Sequence, residues 1–273
     1  MIRRALAAAL VLAASAGAAD WQTVGTPAPG PVRVIGTHGL GCIAGAVALP
    51  TEGPGFQVIR ASRSRFWGHP DTIAAIETLG RRLHAAGFSD IYVGDVGQVR
   101  GGPMPWGHAS HQIGLDADIW FDLSPKPVRP VAAREIPDPP SLVRADRKSV
   151  DPARWTEAYL RLLRTAADLP GVDRIFVDPA IKRKLCETAG PDRAWLRRIR
   201  PWWGHAAHFH IRFRCPAGQP ECQDQPPPPA GDGCDASLDW WFAQLDAPPK
   251  PRPPRPPRRP QLPAACAAVL AAP

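Results

Sequence analysis

Between Pro70 and Ala86 the apolar residues Ile73, Ile76, Leu79 and Leu83 recur at helical spacing, with a proline in the first turn and Gly87 as the stop, which predicts a helix. Ile91 to Val96 then reads as a short strand. A second helix is predicted after Asp151 as N-cap, with Pro152 in its first position, running through Trp155, Leu160 and Leu163 to the break at Leu169-Pro170-Gly171. Arg174 to Asp178 reads as a strand, and Pro179 to Ala189 as a short helix closed by Gly190. Two further stretches alternate. In Gly114 to Phe121, the side chains of Leu115, Ala117, Ile119 and Phe121 fall on one face and Asp116, Asp118 and Trp120 on the other. In His208 to Cys215, Phe209, Ile211 and Phe213 oppose His208, His210, Arg212 and Arg214. Two strands thus present imidazoles and carboxylates opposite apolar faces. Lys126 to Ser141 is proline-rich and aperiodic, a long surface loop of the kind that often borders a site.

Composition narrows the fold. With 35 prolines and 24 glycines in 273 residues, long helices are disfavoured, while 44% hydrophobic content supports a real core. Pro248 to Pro263 holds nine prolines with Lys250, Arg252, Arg255, Arg258 and Arg259, a composition that forms extended polyproline II. At about 3.1 Å per residue it reaches on the order of 50 Å, the width of a domain. Cys266 lies beyond it, so the segment is a strap if Cys266 is bonded to the body and a free cationic tail if not.

The first residues supply a compartment signal: Arg3 and Arg4, an apolar run from Ala5 to Ala14, and small residues ending in Ala16-Gly17-Ala18. They read as a secretory signal peptide cleaved after Ala18; a membrane anchor is the alternative, but the run is too short for about 30 Å of hydrocarbon. Cys42, Cys186, Cys215, Cys222, Cys234 and Cys266 form an even set without any CxxC, which in an exported chain favours three disulfides over a cysteine zinc cluster. Their pairing stays open. Once Arg3 and Arg4 are removed, 31 basic residues face 25 acidic ones. The basic residues concentrate in a proline tail without interleaved aromatics, which speaks against nucleic acid as partner.

Candidate chemistry lies in the histidines. Five of eight fall in Gly107-His108-Ala109-Ser110-His111 and His205-Ala206-Ala207-His208-Phe209-His210. Imidazole and carboxylate donors from separate strands suit Zn²⁺, and three protein ligands with one open position is the arrangement of a catalytic zinc. Histidines on solvated strands are the alternative. No HExxH helix and no GxSxG elbow is present, which sets aside a thermolysin-like zincin and leaves a serine triad weakly supported.

His111-Gln-Ile-Gly-Leu-Asp-Ala-Asp118 fits the HxxxxxxD pattern and His208-Phe-His210 the HxH pattern of the zinc peptidases that include lysostaphin, D-alanyl-D-alanine carboxypeptidases and the hedgehog fold. The wider context more specifically resembles the penicillin-insensitive murein endopeptidase family. It comprises Gly107 to Trp120, Arg63-Ser-Arg-Phe-Trp-Gly-His-Pro70, Asp173-Arg-Ile-Phe-Val-Asp-Pro-Ala-Ile-Lys182 and Gly231-Asp-Gly-Cys234. The resemblance spans nearly the whole mature chain, the proline-rich tail included.

That resemblance implies an α+β fold in which a small antiparallel sheet carries the metal site, flanked by helices, loop-rich and disulfide-stapled. A signal peptide (1–18) would precede a zinc peptidase domain (19–247) and a Pro/Arg-rich strap (248–273). The implied activity is hydrolysis of peptidoglycan cross-links, the D-alanyl to diaminopimelyl bonds, in the periplasm. Implied zinc ligands are His111, Asp118 and His210, with His108, His205 and His208 as the other active-site histidines. Implied disulfides are Cys42 with Cys266, Cys186 with Cys234, and Cys215 with Cys222. Some family members carry a second metal site; here it would use His108 and Asp146, but serine occupies position 149 where a histidine is expected, so a single ion is favoured. No glutamate stands just ahead of Trp203-Gly-His205, so a histidine must be the general base.

In the expected mechanism zinc polarises the scissile carbonyl and lowers the pKa of a water, His208 or His205 carries the proton, and His108 binds the oxyanion or orients a ligand. Asp116 anchors a histidine N–H from behind the metal. The rivals are a carboxypeptidase trimming terminal D-alanine and a non-catalytic peptidoglycan-binding protein with a structural zinc. A structural zinc would not need the non-ligand histidines.

Overall fold

The computed structural model describes residues 18–137, 139–247 and 261–273. All but the last residue of the expected signal peptide, and positions 248–260 of the expected strap, lie outside them. Along the chain the strands are β1 (Arg33–Thr37), β2 (Leu40–Ala44), β3 (Val47–Ala48), β4 (Glu52–Gly53), β5 (Phe56–Val58), β6 (Trp67–Gly68), β7 (Ile91–Val93), β8 (Asp116–Trp120), β9 (Val172–Val177), β10 (Ile199–Pro201) and β11 (His208–Phe213). The α-helices are α1 (Ala18–Thr23), α2 (Pro70–Ala85), α3 (Glu157–Ala167), α4 (Pro179–Thr188), α5 (Ala236–Asp246) and α6 (Ala265–Ala271). No helix among the described residues is long and apolar enough to cross a membrane.

Seven strands form the main sheet in the order β10-β9-β11-β8-β7-β5-β4. The expectation of a small, purely antiparallel sheet is corrected: β10 runs parallel to β9, and β5 parallel to β7. The middle, β9-β11-β8-β7, is antiparallel throughout, as is the edge pair β5-β4. The parallel edges arise because the chain crosses through helical segments before returning to the sheet, as in the passage from β5 through α2 to β7.

Alternation fixes which face is covered. Ala117 and Ile119 of β8 and Phe209 and Ile211 of β11 are fully buried in one cluster with Ile76, Leu79 and Leu83 of α2 and Leu162, Leu163 and Ala166 of α3. Burying each large aliphatic side chain contributes about 1.5–3 kcal/mol, so this face holds the register of the two central strands. Slipping either by one residue would drive its charged set into this apolar cluster. Helix α2 starts where the sequence predicts because Pro70 fills its first position and His69 Nδ1 accepts from Asp71 N (3.1 Å).

Three local readings need correction. Asp151 does not cap a helix beginning at Pro152: its carbonyl closes a single turn with Arg154 N and Trp155 N, and α3 begins only after the extended Thr156. The strand from Ile91 ends at Val93, since Val96 N and Gly97 N are drawn to the carbonyl of Arg65. Asp178, read as the end of a strand, caps α4 by accepting from Ala180 N (3.0 Å).

A second, smaller core joins Trp21, the β1–β2 hairpin and α6, with Cys42, Cys266 and Val269 buried inside it. Disulfides join Cys42 to Cys266, Cys186 to Cys234, and Cys215 to Cys222. Arg100, itself buried, donates to the carbonyls of Val269, Leu270, Ala272 and Pro273 and so satisfies the end of α6. The chain beyond the proline-rich segment is thereby docked on the body.

Candidate metal centre

Strands β8 and β11 lie side by side in a register that sets His210 opposite Asp118, Arg212 opposite Asp116 and His208 opposite Trp120. Their polar faces therefore look the same way. The third contributor, His111, comes from the loop before β8, where it takes a left-handed backbone (φ 65°) that a β-carbon disfavours. Two contacts hold it there. Its backbone N–H donates to Asp116 Oδ2 (2.8 Å), and its Nδ1 meets Val96 O at 3.0 Å. Gly114 lets the loop turn into β8 at φ 68°, where a β-carbon would come within 2.9 Å of Gly68 Cα.

Hydrogen bonding assigns the tautomers. A carbonyl only accepts, so His111 Nδ1 carries the proton and Nε2 presents a lone pair. His210 Nε2 lies 2.8 Å from Asp116 Oδ1, which leaves its Nδ1 free in the neutral ring. These two nitrogens are 3.1 Å apart, and Asp118 Oδ1 lies 3.5 Å from His111 Nε2 and 3.2 Å from His210 Nδ1. That oxygen is buried and accepts no hydrogen bond. Three lone pairs converging on one point repel one another unless a cation lies between them. Donors bound tetrahedrally at about 2.0–2.1 Å stand about 3.3 Å apart, so the residues present fit a metal ion. Burial alone would lower the His210 pKa, but Asp116 and Asp118 raise it.

Asp116, fully buried, accepts from His111 N, the His210 ring and Arg212 Nε (2.8 Å). Burial would raise its pKa, yet Arg212 and His210 outweigh that and hold it well below the usual carboxylate range. Asp118 is likewise held low, with His111 and His208 outweighing its burial.

Three more histidines surround this group. His108 Nε2 lies 2.9 Å from Asp95 Oδ2 and 3.7 Å from Asp118 Oδ2, and it forms with His111 and Asp118 a cluster able to hold a metal ion. His208 Nε2 approaches Asp118 Oδ2 to 3.8 Å, its ring beside Trp120 at 5.2 Å. His205 directs Nδ1 at the carbonyls of Trp202 and Trp203 (3.2 and 3.0 Å), which leaves Nε2 as its basic atom. Burial, with His210 and His208 nearby, lowers the His205 pKa to about 4 and lowers that of His208 as well.

The model of the penicillin-insensitive murein endopeptidase family matches residues 34–271. The chain belongs to that family. Relatives bearing the family name from Klebsiella pneumoniae, Salmonella arizonae and Escherichia coli are each 46% identical over 247 residues, covering 90% of this chain and 88% of theirs. As a member of a murein endopeptidase family the protein is a peptidase.

The structure gathers His108, His111, Asp116, Asp118, His205, His208 and His210 of this endopeptidase in one place. Asp146 is not among them. It is exposed in the turn from Arg144 to Ser149, where its Oδ1 accepts from Lys148 N (3.0 Å), and it is absent from the group that contains His108. Sequence reasoning missed Asp95, which is buried and pairs with His108 and with Arg65 Nη1 (3.0 Å). The signal available was an acid placed just past the end of a short apolar strand, too common a pattern to single out. His69, inside a quoted family segment, proves to be a helix cap.

Proposed function

We propose that the protein is a zinc endopeptidase that hydrolyses the D-alanyl to diaminopimelyl cross-links of peptidoglycan. The observation that carries this reading is the convergence of His111 Nε2, Asp118 Oδ1 and His210 Nδ1 at 3.1–3.5 Å. Two imidazoles and a carboxylate are a donor set suited to Zn²⁺. When bound, zinc would polarise the scissile carbonyl and acidify a water at neutral pH.

The chain's own residues do the rest. Asp116 fixes the ring of His210 and, through the backbone, the loop of His111, so that both lone pairs are aimed before any ion arrives. His205, neutral at pH 7 and tethered through Nδ1, receives the proton of the attacking water at Nε2 and returns it to the leaving amine. His208, on the rim of Asp118, orders the substrate carbonyl beside it. His108, oriented by Asp95, donates to the developing oxyanion. The N-terminal apolar segment directs the chain to the periplasm, where this substrate lies.

Digestion of purified sacculi followed by chromatography of the fragments tests the reading. Loss of dimeric muropeptides is the expected result. Release of free D-alanine without loss of dimers would make the protein a carboxypeptidase, and neither product would leave a binding protein.

A further inference from the structure

The segment Arg60 to Arg65 is a tight turn whose two ends are both left-handed without glycine, Arg60 at φ 54° and Ser64 at φ 51°. Non-glycine residues reach this region at a cost of about 1–3 kcal/mol each, so the surrounding contacts must impose the shape. Val96 N and Gly97 N both donate to Arg65 O, and Trp67 N donates to Gly97 O. The turn is thus pinned to the loop that carries Asp95. Its effect is to bring three guanidinium groups onto two tryptophans flanking the metal centre. Arg60 lies over Trp120 at 4.8 Å, and Arg63 and Arg65 lie over Trp106 at 4.7 and 4.0 Å. Trp120 touches His208, and Trp106 precedes Gly107-His108, where Gly107 adopts φ 97° and a β-carbon would meet Arg65 Nη1 at 3.5 Å.

Positive charge in this wall exceeds its partners. Glu135 is engaged by Ser62 N and Oγ. Asp95 Oδ2 is shared by His108, Arg65 and, at 3.7 Å, Arg63. Arg65 is buried with Nε and Nη2 unpartnered. Arg63, with 28% of its side chain exposed, donates no hydrogen bond among the described residues. Arg60 is also partly exposed but donates to Pro137 O (3.4 Å), which leaves Arg63 as the partly exposed guanidinium of this wall with no hydrogen bond among the described residues. From its Nη1 to the donor group runs a chain of three contacts: 3.7 Å to Asp95 Oδ2, 2.9 Å on to His108 Nε2 and 3.7 Å to Asp118 Oδ2. An extended peptide spans about 3.3–3.6 Å per residue, so Arg63 reaches a group within about three residues of the scissile bond.

We propose that Arg63, held flat on Trp106 and backed by Arg65, is the specificity-determining residue that receives a free carboxylate of the substrate on the leaving-group side. The proposal rests on the endopeptidase reading, in which the leaving diaminopimelyl residue bears a carboxylate next to its scissile nitrogen. A stacked guanidinium with a free edge suits a planar anion, and a lysine could not reproduce its fork.

The test uses the zinc-loaded full chain and paired cross-linked muropeptide dimers, one with free and one with amidated diaminopimelyl carboxylates. The wild type is expected to prefer the free acid. Arg63→Gln is expected to raise KM for the free acid about 10- to 100-fold with a smaller change in kcat, to leave the amidated dimer unaffected, and so to abolish the preference. Arg63→Lys is expected to fall between the two. Equal losses on both dimers, or a preference that survives in Arg63→Gln, would overturn the assignment. If Arg63→Gln does not fold, Arg63→Lys decides, since unchanged KM values there also overturn it. A wild type that cleaves neither dimer defeats the endopeptidase reading. Calorimetry with disaccharide tripeptides, free against amidated at the terminal diaminopimelate, then decides the proposal by itself. Tighter binding of the free acid that Arg63→Gln removes supports it, and equal or absent binding overturns it.

Discussion

Asp118 on β8 stands directly opposite His210 on β11, with its Oδ1 3.2 Å from the ring Nδ1, buried and without a hydrogen bond. The sheet's strongest register constraint, the apolar face beneath, holds this pair in place. Stability built into the core is thereby converted into affinity for a cation.

Asp118→Asn keeps the shape but replaces the lone-pair oxygen by a group that can donate to a neighbouring imidazole. In chelator the variant should melt lower than the wild type, because His111 and His208 hold the Asp118 pKa well down and so make its carboxylate net stabilising in the folded state. Zinc should raise the wild-type melting temperature, by the equivalent of about 2.7 kcal/mol at a hundred times its dissociation constant, and leave the variant unchanged. Metal analysis and muropeptide chromatography should show loss of zinc and of activity together. A variant that still bound zinc stoichiometrically would remove Asp118 from the ligand set.

Asp116→Ala leaves the guanidinium of Arg212, only 6% exposed, without its carboxylate. Breaking a buried pair from one side costs about 3–5 kcal/mol, or roughly 6–20 °C in melting temperature for a chain of this length. Because the folded pKa of Asp116 lies below its unfolded value, its contribution is complete above the unfolded pKa near 4 and is lost as pH falls through the folded one. Denaturant titrations should show the variant and wild type converging in strong acid.

His205 acts in the same direction of pH for a different reason, since burial disfavours its cation in the folded state and its pKa of about 4 lies below the ordinary imidazole value of 6.5. Between those values the unfolded chain binds more protons, so stability falls as the solution is acidified from about pH 6.5 to about pH 4 and levels off below. His205→Gln should flatten part of that slope in metal-free protein. In the zinc-loaded enzyme His205→Ala should lower kcat about 10²- to 10⁴-fold with zinc content unchanged. A variant retaining full kcat would transfer the proton-carrying role to His208.

Cys266→Ser opens a crosslink between positions 224 residues apart, for which chain entropy predicts somewhat more than about 4.7 kcal/mol. The contacts of Arg100 with the end of α6 remain, so a loss nearer about 2–4 kcal/mol is expected. Limited proteolysis should release the tail while hydrolysis of muropeptides persists, because the donor group sits on β8, β11 and the loop before β8. An unchanged melting temperature with an equally protected tail would show that the proline-rich segment is a dangling arm.

Local patterns exposed much of this architecture. The alternation from Leu115 to Phe121 and from Phe209 to Phe213 placed every inward apolar side chain correctly, since period two is a property of the strand itself. Pro70 and Pro179 marked two helix starts because a missing N–H costs nothing there. Asp151-Pro152 carried the same signal and made only one turn, because Thr156 is extended and the helix restarts beyond it. Six cysteines announced disulfides, but their pairing is a matter of which distant segments pack together.

Residue type, order and alternation, determined by the sequence alone, put carboxylates and imidazoles on the polar faces of two strands and set the covered face beneath them. The sequence contained nothing that placed β11 beside β8 in a register aligning His210 with Asp118. Nor did it place Asp95 beneath His108 or fold the arginines at 60, 63 and 65 onto Trp120 and Trp106. Those relations join residues many positions apart, and only the packing of the whole sheet on α2 and α3, which buries one face at the expense of every alternative pairing, decides them.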